Sequence, residues 1–528
     1  MIVARSHRAH MAPVQLDPDL LLLTVVFVVS CFVIARCLRS GRKDGGRVLL
    51  LPPSPPPLPI TGNLHQLGRS HYHRRLRELA RRHGPLFLLR LGSVPTVVVS
   101  SAAVAEEVLR TQDHVFCSRP PQRTARGLLY GCRDVAFSPY GERWRQLRRI
   151  AALRLLSARR VDSFRALREE EVASFLDRIR AAGAHREDGR RAGVNLSELL
   201  VGLTYAVISK AVFGNRLGGM EPGAVRAMME ETSELLETIA VGDVFPRLRW
   251  VDWATGLDAR IKRTAAKLDA VMEGALQEHE KGGGGAGNDG EADDLLDDLL
   301  SAVKEGGARL NLDRTDVKGL ILDLFLAGTD TTAKTVEWTM AELVNNPDEL
   351  EKVQAEVRQV VGPHGSVSEE RLSSMSRLQA AMKEALRLHP PVPMLVPRVA
   401  IHDTRLRGHD VPAGTRVVVN AWAIGRDGES WEEDADAFRP ERWLARGAAA
   451  DYGGRDARFI PFGAGRRGCP GVGFATRLAE LALASMLYHF DWGLPGGQDA
   501  GSFELVESSG ITAGLKFPLT LVAEPFRP

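Results

Sequence analysis

A chain of 528 residues is long enough to bury a large core, and its length alone would allow several domains. Its 69 Lys and Arg nearly balance 66 Asp and Glu, and the formal charge of +3 gives no global electrostatic case for nucleic acid as a partner. The five cysteines, Cys31, Cys37, Cys117, Cys132 and Cys469, are odd in number without C-x-x-C or zinc-type spacing, which fits a reducing compartment and not a disulfide scaffold.

Residues 20–35, LLLLTVVFVVSCFVIA, form an uncharged apolar run. As a helix it spans roughly 24 Å, slightly less than a hydrocarbon core, and Leu38 with a snorkelling Arg36 extends it. Asp17 and Asp19 precede it, while Arg36, Arg39, Arg42, Lys43 and Arg47 follow, so the charge bias puts the C-terminal side in the cytosol. The organisation expected is a tail at 1–19, a transmembrane signal-anchor at 20–38, a basic and proline-rich hinge at 39–62 and one catalytic domain at 63–528. Within the hinge, Leu51 to Ile60 (LPPSPPPLPI) reads as a stiff extended spacer.

Amphipathic helix dominates thereafter, with strand-like runs at Leu86 to Leu91, Thr96 to Val99 and Val417 to Asn420. In the helical stretch Gly141 to Leu155, Trp144 and Arg148 share a face, and Arg143, Arg149 and Arg154 are expected in solvent, where they could dock an acidic electron donor. Gly282 to Gly290 reads as a flexible loop. Asp293, Asp294 and Asp297 then spell D-D-x-x-D, which resembles the diphosphate motif of terpene synthases, although the second metal motif of that family is absent. Acidic residues opening a helix explain the same pattern.

Asp316 to Asn345 is one long helical pattern, stopped by Asn346 and Pro347. Midway, Ala327, Gly328, Thr329, Asp330, Thr331 and Thr332 bring small residues, an acid and alcohols into an apolar helix, an arrangement that is costly unless used. The threonines are expected to disturb its regular hydrogen bonding. Glu384 and Arg387 lie three apart and can pair, and Phe438 to Trp443 (FRPERW) follows. His389 reads as structural.

The segment Phe462 to Gly471, FGAGRRGCPG, sets Cys469 just before the apolar-periodic stretch Val472 to Phe490. A thiol there sits at a helix N-terminus, where the dipole and Arg467 favour the thiolate that binds metal. Gly465 and Gly468 allow backbone to approach a flat cofactor, and Phe462 can cover one side of the sulfur. Gly463, Gly465 and Gly468 also spell G-x-G-x-x-G, a weak dinucleotide signal without a preceding strand, and an inert buried cysteine is the third alternative.

The cysteine loop matches F-x-x-G-x-R-x-C-x-G at every fixed position, and A-G-T-D-T-T, W-x-x-x-R, E-x-x-R with P-E-R-W, and the proline hinge occur in the matching order. Together they resemble the cytochrome P-450 superfamily, the haem-thiolate monooxygenases, and most closely plant microsomal enzymes of the family-71 clan. The resemblance implies a mainly α fold with small β-sheets, a triangular helical domain binding haem b (iron protoporphyrin IX). It makes Cys469 the axial iron ligand, with Trp144, Arg148 and Arg398 on the haem propionates and Phe462 and Arg467 also against the cofactor. Asp330 and Thr331 would deliver protons on the opposite face, and Glu384, Arg387 and Arg442 would form a buried network holding the loop. Phe325, Ala327, Met394, Leu395, Val396 and Ile511 would face substrate.

The implied reaction inserts one atom of O2 into a small lipophilic specialised metabolite such as an indole derivative, terpenoid or phenylpropanoid. Electrons would come from NADPH through a cytochrome P-450 reductase, with the enzyme single-pass in the endoplasmic reticulum membrane and its catalytic domain in the cytosol. Rival readings are a haem-thiolate isomerase or dehydratase that activates no O2, a haem sensor without turnover, and a magnesium-dependent terpene synthase.

Overall fold

The computed structural model describes residues 49–526, apart from 69, 185, 188–189, 215–221, 282–293, 307–311, 364, 433, 446–451 and 498–503. The apolar run at 20–35, the basic cluster after it, the glycine-rich loop and Asp293 lie outside the described residues. The longer helices are α1 (Tyr72–His83), α2 (Glu142–Ile150), α3 (Arg165–Ala184), α4 (Leu196–Phe213), α5 (Pro222–Glu237) and α6 (Leu257–Lys281). They continue with α7 (Leu295–Gly306), α8 (Arg314–Asn345), α9 (Pro347–Val361), α10 (Ser376–Leu388) and α11 (Val472–His489).

Of the four small sheets among the described residues, the two larger have four and three strands. Strands β1 (Leu86–Leu91), β2 (Val94–Val99), β4 (Arg398–Val399) and β5 (Arg416–Val419) form a sheet in the order β1-β2-β5-β4, in which β2 runs parallel to β5 with Val97 opposite Val417. Strands β3 (Val194–Asn195), β6 (Phe490–Gly493) and β7 (Thr520–Pro525) form the other, with β7 central. The mainly helical expectation and all three strand positions hold to within two residues.

The core is built on α4, α8 and α11. Leu196, Leu200, Leu203, Val207 and Ala211 recur every three or four residues on α4 and are all buried. Among the described residues α4 is the one helix apolar and long enough to cross a membrane, yet 56% of it is buried inside the protein, which makes it a core helix. Helix α8 opens on a capping box: Asp313 accepts from the Thr315 and Asp316 backbone N–H groups at 2.8 and 3.1 Å, and Asp316 accepts from Asp313 N–H at 2.9 Å. It then runs unbroken to Asn345. The threonine hydroxyls do donate back one turn, Thr331 to Ala327 O at 2.7 Å and Thr335 to Thr331 O at 2.9 Å, but these bonds do not interrupt the helix.

Other expectations change on contact with the fold. The proline stretch is no free spacer from Leu50 onward. Leu88 N–H donates to Pro53 O at 2.8 Å, the Asn63 amide to Pro55 O at 3.1 Å, and Leu50 exchanges bonds with Asp410, all of which fasten it to the domain. The stretch expected as one helix from 141 to 155 is α-helical to Ile150 and then widens into a π turn over Ala151–Leu155. Of the three arginines expected in solvent, Arg149 and Arg154 are exposed, Arg154 in a surface pair with Glu305, whereas Arg143 is half-buried and pairs with buried Asp316. Asp294 caps α7 by accepting from Leu296 and Asp297 N–H, and its other oxygen meets His279 at 2.9 Å, so that carboxylate is committed within the fold.

One buried carboxyl on α11 gives a pH test of this packing. Glu480 is 9% exposed, and burial pushes its carboxyl up to about 7. An unfolded chain ionises it near 4.3, so the native state keeps the proton longer and stability falls as pH rises from about 4 through about 7. Glu480→Gln is expected to raise Tm by a few degrees at about pH 8 and to leave it unchanged near pH 4. Thermal melts at the two pH values check this; an equal shift at both contradicts it.

Candidate active site

The cysteine loop is folded by its own backbone. Cys469 N–H donates to Phe462 O at 2.9 Å and Gly468 N–H to Gly465 O at 2.9 Å, which curls the chain before Gly471 opens α11. Gly465 has φ of 68°, and a Cβ there would stand 2.0 Å from the Leu109 carbonyl oxygen, so no other residue fits. Cys469 is exposed to a cavity of about 300 Å³ that it lines, set deep among surrounding protein atoms. Burial pushes its thiol up, while the N–H groups of Gly471 and Val472 and the cation of Arg148 pull the other way. A metal ion at the sulfur outweighs that burial cost, because a coordinating thiol is deprotonated.

The cation beside the sulfur is therefore Arg148 and not Arg467, as the sequence had suggested. Arg467 is turned away by three carbonyls, donating to Cys117 O, Val135 O and Ser138 O at 2.7, 3.0 and 2.6 Å, and it stacks 4.0 Å over the Trp144 ring. Four guanidiniums, of Arg119, Arg148, Arg398 and Arg467, nonetheless line one side of the cavity. Three are neutralised or bonded: Arg398 to Asp113 and Ala464 O, and Arg119 to Ala136 O, Val396 O and Pro397 O. Arg148, half-buried, has no hydrogen-bond or ion-pair partner among the described residues, and burial lowers its pKa. Trp144 donates its indole N–H to Val135 O at 3.1 Å, so it supports the Arg467 platform and does not offer that N–H to the cavity.

Across the cavity from Cys469 stands α8, which presents Leu324, Ala327, Gly328, Thr331 and Thr335. The donor set suits haem: one sulfur ligand, a largely apolar lining, and a cation lacking an anion.

Comparison with known proteins decides the family. Residues 52–512 match the family described as Cytochrome P450. The chain belongs to the cytochrome P450 family. Cytochrome P450 71A1 of Persea americana is 48% identical over 466 residues, covering 88% of this chain and 91% of its own. An Arabidopsis thaliana relative named indoleacetaldoxime dehydratase is 40% identical, with 94% and 98% of the two chains covered. A zebra fish cytochrome P450 solved with abiraterone superposes with a TM-score of 0.73 at 28% identity, over 87% of this chain and all of that one. This P450 is thus a haem-thiolate oxidoreductase of the plant family-71 type, and the terpene-synthase and non-enzymatic sensor readings are overturned.

The buried network expected around Glu384 is present. Arg387 grips Glu384 with two bonds of 2.8 and 2.7 Å, Arg442 adds one at 3.2 Å, and Arg439 N–H and Trp443 indole N–H add two more at 2.9 Å each. Arg387 also donates to the carbonyls of Gly425, Ala435 and Ala437, while Arg442 reaches Trp431 O and Asp434. The segment leading into the cysteine loop is thereby pinned to α10.

The substrate-facing expectations divide. Ala327, Leu395 and Val396 line the cavity. Phe325 does not, because its position on α8 turns the ring into the core against Tyr205 and Phe213 at 5.6 and 5.4 Å. Met394 packs under the first sheet instead, and Ile511 lies off the wall. Thr331 lines the cavity, whereas Asp330 does not: its carboxylate is bonded to Lys334 at 2.6 Å.

Several wall residues escaped sequence reading. Ile208, Ala211 and Val212 of α4 enter because Gly328 lets that helix close in; a Cβ on Gly328 would lie 2.7 Å from Ile208 Cδ1. Asp323, two turns before Thr331, accepts from Val135 and Ala136 N–H at 2.5 and 3.0 Å and so fastens the cavity rim to α8. Burial and the neighbouring Asp134 hold its carboxyl well above the usual range. An acid inside an apolar helix was its one sequence signal.

Arg387→Met leaves Glu384 as a buried charge short of its main partner, which is expected to cost about 3–5 kcal/mol of stability and to lower the haem-to-protein ratio. Denaturant titration and haem assay check this, and a loss under about 1 kcal/mol would contradict the network's role.

Proposed function

We propose that this cytochrome P450 inserts one oxygen atom from O2 into a small lipophilic specialised metabolite, by hydroxylation or epoxidation. The observation that carries the reading is the Thr331 hydroxyl on the cavity wall opposite Cys469. Cys469 would hold the haem iron and Arg148 a propionate, with the Arg467–Trp144 stack behind that edge. When bound, haem with an axial thiolate supplies the electron-rich iron that favours O–O cleavage, as is general for cytochromes P450. Thr331 donates its O–H to Ala327 O at 2.7 Å, which fixes the hydroxyl oxygen on the cavity wall, where it can accept a hydrogen bond and pass its own proton on once the O–H rotates. Asp330 would renew that proton. Val392, Leu395 and Val396 with Leu320 and Leu324 exclude water and favour an apolar substrate.

NADPH would supply electrons through a membrane-bound cytochrome P450 reductase. A single transmembrane helix at 20–38 would tether the enzyme to the endoplasmic reticulum with its catalytic domain in the cytosol. An apolar surface supports that placement: Trp250 and Trp253 are 62% and 74% exposed, and Leu58 and Ile60 50% and 57%. Their segments adjoin, since Ser93 N–H donates to Val244 O and Gly92 N–H to Thr61 O.

A second reading, a haem-thiolate dehydratase or isomerase that activates no O2, draws on the relative named indoleacetaldoxime dehydratase and on the Asp330 carboxylate being tied away from the cavity. NADPH-dependent O2 uptake with a reductase distinguishes them. The monooxygenase is expected to show it, and turnover of an oxygenated substrate without reductant would favour the rival. Thr331→Ala should keep its haem but divert most reducing equivalents to peroxide, a loss in the range of about 10²–10⁴-fold at most. Fully coupled turnover in that variant would refute the role of Thr331.

A further inference from the structure

Three residues of one segment meet three consecutive residues of the cysteine loop. The segment runs from a π turn, Glu107–Thr111, into the short helix Asp113–Phe116, and it contributes Leu109, Asp113 and Cys117, spaced four apart. The Leu109 carbonyl oxygen stands against Gly465, where a Cβ would lie 2.0 Å from it. Asp113 Oδ2 accepts from the Arg466 backbone N–H and from its guanidinium, each at 3.0 Å. The Cys117 carbonyl accepts from Arg467 Nε at 2.7 Å. Asp113 Oδ1 accepts in addition from Arg398 Nη1 at 3.2 Å, and Arg398 Nη2 donates to Ala464 O at 3.0 Å, so these bonds close a ring around residues 464–466. Gln112 braces the segment from outside, donating to Arg405 O at 2.7 Å and accepting from Thr404 Oγ1 at 2.6 Å.

We propose that residues 107–117 are a template for the cysteine loop and that Asp113 is its positioning residue for Cys469. The inference rests on the reading of Cys469 as the haem ligand and holds for oxygen insertion and dehydration alike. Cys469 stands three residues beyond Arg466, and the bonds from Gly468 N–H to Gly465 O and from Cys469 N–H to Phe462 O are internal to the loop. They curl it without fixing where it sits. The buried Asp113 supplies that fix with charge-assisted bonds, which are shorter and stronger than neutral ones. It also neutralises Arg398, itself buried. Without Asp113, Arg398 joins Arg148 as a cation lacking an anion at the cavity, and an added positive charge there favours the reduced state of a bound metal.

The test reads the reduced, carbon-monoxide-treated spectrum, the reduction potential and the haem-to-protein ratio of Asp113→Asn and Arg466→Gln in the full-length enzyme. Asp113→Asn keeps an acceptor for the Arg466 N–H and loses the charge. It is expected to retain haem, to lose the red-shifted band about tenfold faster than the wild type on mild warming, and to shift the potential upward. Arg466→Gln removes the exposed arm of the tie alone and is expected to speed that loss about twofold. Amide hydrogen exchange at Gly465 to Arg467 should quicken in both. A lowered haem content with wild-type band stability and potential would overturn the proposal, as would wild-type exchange across 465–467. Should Asp113→Asn fail to fold, Arg466→Gln decides, and wild-type band stability and exchange in that variant contradict the template. If the wild type itself gives no red-shifted band, the ligand reading fails and the positioning role falls with it, while the exchange data still report whether the segment holds the loop.

Discussion

Glu384 is a fully buried carboxylate, and the geometry of the cysteine loop depends on how it is satisfied. Five donors converge on it, three of them from the guanidiniums of Arg387 and Arg442. A carboxylate in so dry a place is tolerable only when its lone pairs have partners; Arg387 on the same helix supplies two bonds, and Arg439, Arg442 and Trp443 of the segment that leads toward residue 462 supply three. Arg387 extends the effect, because its remaining N–H groups hold three carbonyls of the same segment. Strand and helix contribute little order there, so charge-assisted bonds supply it.

Given that scaffold, the cavity follows from two opposed surfaces. One carries Cys469 at the opening of α11, and the other is the face of α8 centred on Ala327 and Thr331. The glycines act at close approaches: Gly465 against Leu109, and Gly328 against Ile208. The rim is a cluster of like charges whose cost is met by carbonyls and by Asp113, except at Arg148. An anionic edge of a flat cofactor completes that arrangement electrostatically.

The signals legible in sequence were those that need a particular residue type. Cys469 could be named because a cysteine in a glycine and arginine loop before a helix suits sulfur ligation, whereas Arg148, Thr331 and the Glu384–Arg387–Arg442 set were named through the motifs that resemble the family, each of which fixes a residue type. Direction was harder to read than identity. Phe325 and Thr331 lie on one helix six residues apart, yet only one faces the cavity, and neighbouring rings on α4 decide which. Arg467 looked like the partner of the sulfur by proximity in sequence, but carbonyls from distant residues claim it. Asp330 was legible as an acid and Lys334 one turn on as its neighbour, but the bond from Lys334 to Thr512 was not, since it needs a loop 178 residues away. The walls supplied by Ile208, Ala211 and Val212 had no local signature, because an apolar residue in a core helix looks the same wherever it points.

The central claim is that Cys469 binds haem iron as a thiolate, and the absorption spectrum of the reduced, carbon-monoxide-treated protein tests it most directly. The account predicts a Soret band strongly red-shifted by the sulfur ligand in the wild type and its loss in Cys469→Ala. A wild-type band at the position of a histidine-ligated haem, or a red-shifted band that survives Cys469→Ala, would contradict it.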